Sequence, residues 1–341
     1  MTQTRNIERK QGKSAIAVYS CSLQEERLIN EYGRTHAIQM FTTDEPLTQD
    51  NINLTEGCRC ISVNHTSLIN NLLLDELSKW GIKYISTRSI GYDHIDIEYA
   101  KQIGISVGNI GYSKSSVAEY TIMLMLMAIR RIKTVLEKTK IQDFTMPDQA
   151  AGELGSLTAG VIGTGIIGET VISYLKGFGC RILACDPFEK ESVKRMATYT
   201  SLENLLAQSD IVTLHVPASV KNYHLINREN LNKIKHNSIL INTSRGTLVD
   251  TEALIEALEE ERISGAALDV VEHENGVFYE DYKKRILPNK ELALLNTFPN
   301  VIITPHIAFH TEQAVHDMVE SSLNHCKAFE EGQLAVPVSR A

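Results

Sequence analysis

From residue 14 onward the chain alternates short apolar, β-rich runs with stretches of helical periodicity. "AIAVYS", "CISVNH", "YISTRS" and "ISVGNI" read as strands, and "SLQEERLINEYG" and "SLINNLLLDELSKWG" read as helices between them. Strands that recur with helical crossovers predict parallel α/β structure. One apolar helix is predicted over about 116 to 136. After a polar connection the pattern restarts with "TAGVIGTGIIGETVISYLKGFG", "CRILACDPF", "DIVTLHVP", "SILINTSRG", "ISGAALDVV" and "NVIITPH", six strand candidates that make a second α/β unit. The last segment, "TEQAVHDMVESSLNHCKAFEEG", is helical in period and is expected to fold back on the first lobe. The boundary is placed between Ile110 and Ser116 and the return just after His306, giving one lobe of residues 1–110 plus 308–341 and another of 111–307.

Composition changes this picture little. A chain of 341 residues, 43% hydrophobic and 22% charged, is long enough for two domains with cores of their own. A net charge of −8 without a Lys/Arg-rich stripe argues against nucleic acid, whose phosphates demand concentrated positive charge. The polar start "MTQTRNIERKQGK" and the short apolar run after it do not read as a secretory signal, so the protein is expected in the cytoplasm. The most membrane-like run, "YTIMLMLMAI", is about half the ~20 residues that a bilayer span needs, so it reads as a buried helix and no membrane partner is expected. Six cysteines, at 21, 58, 60, 180, 185 and 326, lack any spacing that suits zinc and read as reduced core thiols; no metal is expected.

Candidate chemistry begins at Gly163, Gly165 and Gly168, a G-x-G-x-x-G run that directly follows a strand and opens a helix. In that context the glycines permit a tight turn, close approach to a pyrophosphate and helix–strand packing, and the helix N-terminus supplies positive potential. Asp186, at the end of the next strand, can accept hydrogen bonds from a ribose, which favours NAD over NADP: a 2′-phosphate would be repelled there, and Pro187-Phe188 offers no arginine.

Ligands of doubly wound sheets sit beyond the carboxyl ends of the strands, so the strand tips carry the next candidates. "SILINT" ends at Thr243 before Ser244-Arg245, "AALDVV" precedes Glu272-His273-Glu274, and "VIIT" precedes Pro305-His306. Arg245 can fork onto a carboxylate and polarise the adjacent ketone of a 2-oxo acid. His306 can pass a proton to the carbonyl oxygen, and an ionised Glu274 nearby would stabilise the imidazolium and fix the ring. Of the other histidines, His215 in "LHVP" is the one rival at a strand end; the rest read as structural or exposed.

Together "GVIGTGIIG", "SDIVTLHVP", "ILINTSRGTLVD", "GAALDVVEHE" and "NVIITPHIAF" resemble the D-isomer-specific 2-hydroxyacid dehydrogenases, and "GVFYEDYKKRIL" resembles their D-lactate dehydrogenase branch. "RSIGYDHID", "GISVGNIGYS" and "MLMLMAIR" resemble the branch members that serve vancomycin resistance. The resemblance implies two Rossmann-like doubly wound lobes, with an NAD-binding lobe inserted into a flavodoxin-like substrate lobe. It implies catalytic roles for Arg245, Glu274 and His306, and cofactor contacts at Gly163, Gly165, Ile166, Ile167, Gly168, Asp186, Val216, Pro217, Asn222, Thr243, Ser244, Arg245 and Asp269, the last at the nicotinamide end. Backbone amides near Asn64 and His65 would help hold the substrate carboxylate, and Phe309 would wall the side-chain pocket. The family often has a histidine or arginine where Ile166 stands, which removes a possible phosphate contact here. It also implies lobe closure over the substrate and a homodimer, although the apolar helix of 116 to 136 can equally pack within its own lobe. The expected reaction is NAD-dependent interconversion of a small 2-oxo acid, pyruvate first, and its D-2-hydroxy acid. A dinucleotide-sensing regulator on the same fold, resembling the corepressors related to this family, is the alternative, and retention of Arg245, Glu274 and His306 together weighs against it. L-specific lactate enzymes do not match, because their glycine loop lies near the N-terminus and a whole lobe precedes it here.

Overall fold

The computed structural model describes residues 14–147, 149–333 and 338, so the polar N-terminal run read above lies outside it. The chain forms two compact units, Met1–Ser113 with Glu312–Ala341, and Lys114–Thr311. The first begins with β1 (Ala15–Val18), α1 (Leu23–His36), β2 (Gln39–Thr42) and β3 (Cys60–Val63), and continues with α2 (Asn71–Lys79), β4 (Tyr84–Thr87), α3 (Ile97–Gln102) and β5 (Ser106–Asn109). These strands form a parallel sheet in the order β2-β1-β3-β4-β5, the flavodoxin-like arrangement. Both faces are covered, and β1 shows how: Ala15 and Ala17 join one apolar cluster while Ile16 and Val18 join another. Each fully buried Ile or Val contributes about 1.5–3 kcal/mol relative to exposure, so four-residue strands suffice.

The second unit opens with α4 (Lys114–Ile129) and α5 (Ile132–Lys140). Their separation corrects the single helix expected over 116 to 136. Arg131 turns into the left-handed region at φ +51°, and Lys133 then donates to the carbonyls of Asn296, Phe298 and Val301 at 2.9, 2.7 and 3.0 Å. Redirecting the chain at Arg131 places that ammonium against these three carbonyls. The buried residues of α4, among them Ala118, Ile122, Leu124 and Met125, pack in the core of this same unit.

The sheet follows with β6 (Thr158–Ile162), α6 (Ile166–Phe178), β7 (Arg181–Cys185), α7 (Glu191–Lys194), β8 (Thr198–Tyr199), α8 (Leu202–Gln208) and β9 (Ile211–Leu214). It is completed by α9 (Arg228–Lys233), β10 (Ser238–Asn242), α10 (Thr251–Glu259), β11 (Ile263–Leu268), α11 (Lys290–Thr297) and β12 (Val301–Ile303). All seven strands are parallel, in the order β12-β11-β10-β9-β6-β7-β8, so the winding reverses between β6 and β9 and opens a crevice at their carboxyl ends. The sequence reading missed β2 and β8, which lie at sheet edges. An edge strand is less buried and gives no continuous apolar run. The last helix, α12 (Glu312–Glu330), belongs to the first unit and buries Val319, Leu323 and Cys326 against Ile16, Val18 and Tyr84. Among the described residues no helix is long and apolar enough to cross a membrane, and all six cysteines are free thiols.

Candidate active site

The glycine crossing between β6 and α6 is shaped by contact as well as by φ. Gly163 lies at φ +93°, and a Cβ there would stand 2.3 Å from the His215 carbonyl oxygen; one on Gly168 would stand 2.0 Å from that of Gly163. No side chain caps α6 at Gly165, so the N–H groups of its first turn and its dipole can receive an anion such as a pyrophosphate. The chain therefore has a cradle that fits a dinucleotide. Ile166 opens this helix with 53% of its surface exposed, whereas Ile167 packs inward against the core beneath.

Asp186 follows β7 and ties two loops together. Its Oδ2 accepts from Thr164 N at 2.7 Å and its Oδ1 from Phe188 N at 2.8 Å. A carboxylate has about four acceptor sites, so capacity remains for ribose hydroxyls. Tyr199, which the sequence reading did not single out, holds the same corner: its hydroxyl bonds Thr164 Oγ1 at 2.8 Å and accepts from Lys190 N at 3.1 Å. Val216 and Pro217 follow β9, and Asn222 donates its amide to Pro217 O at 2.9 Å, closing their loop. At the end of β10, Thr243 is buried with its hydroxyl 2.9 Å from that of Thr121, and Ser244 N donates to Asn242 Oδ1 at 3.0 Å.

Three adjacent parallel strands then carry the polar candidates. Arg245 follows β10, Glu274 follows β11 and His306 follows β12. Arg245 is part-buried, with Nη1 donating to Ser244 O at 2.8 Å and its own carbonyl accepting from Asn242 Nδ2 at 2.8 Å. Glu274 Oε1 lies 2.6 Å from His306 Nδ1, and its Oε2 accepts from Val271 N at 3.0 Å. Because a carboxylate only accepts, Nδ1 carries the hydrogen and Nε2 is the ring atom assigned to proton exchange.

The backbone of His306 is held just as firmly. It lies at φ +52°, its N–H donates to Asp269 O at 2.7 Å, and its carbonyl accepts from the Tyr279 hydroxyl at 2.8 Å. Asp269 was expected at the nicotinamide end; its carboxylate is engaged by the Thr304 hydroxyl at 2.5 Å, Ile307 N at 3.0 Å and Ala308 N at 2.8 Å. Burial raises its carboxyl above the ordinary range, against the lowering effect of those bonds. These anchors explain why the chain stays with the second unit through Thr311 and does not leave just after His306. Phe309 presents its ring edge-on to His306, centroids 6.3 Å apart. Asn64 and His65 follow β3 in the first unit, where Asn64 Oδ1 accepts from the backbone and hydroxyl of Thr66 at 3.0 and 2.6 Å.

Two other histidines separate clearly. His215 bonds the Thr213 hydroxyl at 3.0 Å, and burial pushes its imidazole down to about 3, so it is neutral. His224, grouped by the sequence reading with the structural or exposed histidines, lies 2.7 Å through Nε2 from Glu272 Oε1, a second histidine–carboxylate pair. No sequence signal marked it, because the partners are 48 residues apart.

A doubly wound sheet with an uncapped glycine crossing, and with an arginine and a histidine–carboxylate pair on neighbouring strand tips, defines a dinucleotide-dependent oxidoreductase. Residues 122–308 match the family described as D-isomer specific 2-hydroxyacid dehydrogenase, NAD binding domain. The chain is 44% identical over 315 residues to a D-specific alpha-keto acid dehydrogenase of Enterococcus faecalis, covering 92% of this chain and 96% of that one. It is 42% identical to an aromatic 2-oxoacid reductase of Clostridium sporogenes over 81% of this chain and 84% of the relative. Among solved structures, a D-lactate dehydrogenase from Aquifex aeolicus complexed with NAD and lactic acid superposes with a TM-score of 0.84 at 36% identity, covering 93% of this chain and 96% of that one. The chain belongs to the NAD-binding D-isomer-specific 2-hydroxyacid dehydrogenase family.

Proposed function

We propose that this enzyme reduces a small 2-oxo acid, pyruvate before bulkier ones, to the D-2-hydroxy acid, and runs the reverse oxidation on the same groups. The observation that carries the reading is the 2.6 Å His306–Glu274 pair one strand tip from Arg245. Arg245 forks onto the substrate carboxylate and polarises the neighbouring ketone. His306 gives the Nε2 proton to the carbonyl oxygen while Glu274 keeps the ring oriented, and in the oxidative direction His306 takes the proton back. NADH, when bound, supplies the hydride. Similarity to a D-lactate dehydrogenase supports pyruvate, and similarity to an aromatic 2-oxoacid reductase makes chain length the property to measure. The reading includes pairing with a second copy of the chain, supported by Leu136, Ile141, Phe144 and Met146, all exposed on or just after α5.

The test is NADH oxidation with pyruvate, 2-oxobutyrate, 2-oxoisocaproate and phenylpyruvate in parallel, with chiral analysis of each product. D-lactate formed fastest supports the proposal. A preference for phenylpyruvate keeps the chemistry and replaces the substrate, and an L-product overturns the stereochemistry. Tight NADH binding without turnover of any of the four points to a dinucleotide sensor.

A further inference from the structure

The second pair, His224–Glu272, touches neither His306 nor Glu274 through any hydrogen bond described above, yet it is built with as much care. Glu272 Oε1 meets His224 Nε2 at 2.7 Å. Its Oε2 accepts from both the backbone N–H and the hydroxyl of Thr251, at 3.0 and 2.8 Å, and its carbonyl accepts from Asn289 Nδ2 at 2.9 Å. His224 lies at φ +49° with its ring stacked on Tyr223, centroids 3.9 Å apart, and Nδ1 3.8 Å from Asp250. One carboxylate thus joins three segments distant in sequence: the loop after β9, the Arg245–Thr251 segment after β10, and the Val271–Glu274 segment after β11.

Those segments carry the expected cofactor contacts, the substrate-forking arginine and the partner of the proton carrier. Their spacing is close-tolerance. A Cβ on Gly246, the residue after Arg245, would stand 2.1 Å from both the carbonyl carbon and oxygen of Val271, so the Arg245 segment presses directly on the backbone that leads to Glu274. Val271 N in turn donates to Glu274 Oε2. A shift of either segment therefore moves Arg245 relative to the His306–Glu274 pair.

We propose that His224 and Glu272 are positioning residues for the reaction: together they clasp the Arg245 segment to the Glu274 segment and fix the spacing between substrate fork and proton carrier. The inference rests on the roles proposed above for Arg245, Glu274 and His306. The N–H of His224 on a carboxylate is a charge-assisted bond, stronger than the hydrogen bonds between neutral groups that neighbour it. A misplacement of about 1 Å at such a distance from the chemistry can cost about 100-fold in rate.

Two substitutions test it. H224F keeps the ring and its stacking on Tyr223 and removes the N–H; H224Q returns an N–H donor on a side chain of similar reach. With the best 2-oxo acid, H224F lowers kcat/KM about tenfold or more through both kcat and the KM of the oxo acid. The NADH Kd stays within about twofold, because His224 N still donates to Thr247 O at 2.9 Å and Ile226 N to Leu248 O at 2.9 Å, holding the loop after β9. H224Q recovers most of the loss. Should H224F fail to fold, E272Q keeps the shape without the charge and gives a smaller loss of the same kind. Unchanged kcat/KM in H224F, a loss confined to NADH affinity, or equal damage in H224F and H224Q overturns the proposal.

A second readout needs no turnover. Hydrogen exchange at the amides of Thr251 and Val271 accelerates in H224F and is restored in H224Q; equal exchange in all three proteins overturns the clasp. A wild-type protein that turned over no 2-oxo acid would instead sink the functional reading above and leave the exchange result to decide the clasp.

Discussion

Two histidine–carboxylate pairs take their carboxylates from one short segment, two residues apart: His306–Glu274 at 2.6 Å and His224–Glu272 at 2.7 Å. The rings bond through different nitrogens, Nδ1 in His306 and Nε2 in His224, while both histidines sit in the left-handed backbone region, a conformation that costs of order 1 kcal/mol and persists where the surroundings over-determine it. A further difference lies in the second carboxylate oxygen. Glu274 uses it on Val271 N, three residues away, so the side chain is braced by its own segment and its other oxygen serves the ring alone. Glu272 uses it on Thr251, 21 residues away, and becomes a joint between segments. A histidine beside a carboxylate is therefore a proton carrier or a fastening according to what else the carboxylate holds.

Removing the first histidine gives the largest expected effect. Positioned general acid–base catalysis is worth about 100- to 10,000-fold, so H306Q lowers kcat by at least about 100-fold while NADH still binds with near wild-type affinity. Stopped-flow turnover and fluorescence titration measure the two. E274Q, which leaves a neutral partner on Nδ1, costs about tenfold to 100-fold in kcat. If E274Q and E272Q behaved alike in kcat, in KM and in hydrogen exchange, the distinction between carrier pair and fastening pair would collapse.

A smaller effect tests how the carrier itself is held. Tyr279 donates its hydroxyl to the His306 carbonyl from a half-exposed position. One such bond is worth about 0.5–1.5 kcal/mol, so Y279F should slow turnover about two- to tenfold, with the substrate KM moved less than kcat. A Y279F enzyme with wild-type kcat would show that the bonds from His306 N to Asp269 and Thr304 fix the turn without the tyrosine.

The sequence made the chemistry legible where one residue type interrupts another: glycines between strand and helix, and Arg245, Glu274 and His306 where buried strands give way to polar tips. The alternation of strands and helices likewise predicts parallel sheets, whereas the strand orders, which include the missed β2 and β8, emerge only in the fold. What stayed hidden are side-chain contacts across long separations. Tyr199 meets Thr164 over 35 residues, Tyr279 meets His306 over 27 and His224 meets Glu272 over 48. None of these partners lies at a fixed helical or strand period from the other, so only the folded chain brings them together. The break at Arg131 was invisible for a related reason: the carbonyls that attract Lys133 belong to residues 296 to 301.

His215 offers the weakest perturbation and the sharpest contrast with both pairs, because its ring bonds a hydroxyl instead of a carboxylate. Burial holds it neutral, with its pKa pushed down to about 3 from the usual value near 6.5. As pH falls through that window the unfolded chain takes up a proton that the folded one refuses. The unfolded state binds roughly one proton more, so stability rises with pH across the window and is lost as pH drops. H215Q can keep a hydrogen bond to Thr213 and cannot titrate, so its stability should fall less steeply between pH 6.5 and the acid limit of folding. Urea unfolding of both proteins at several pH values in this range measures the slopes. Equal slopes would mean that water reaches the His215 ring in the fold, and that a carboxylate is not what separates this histidine from the other two.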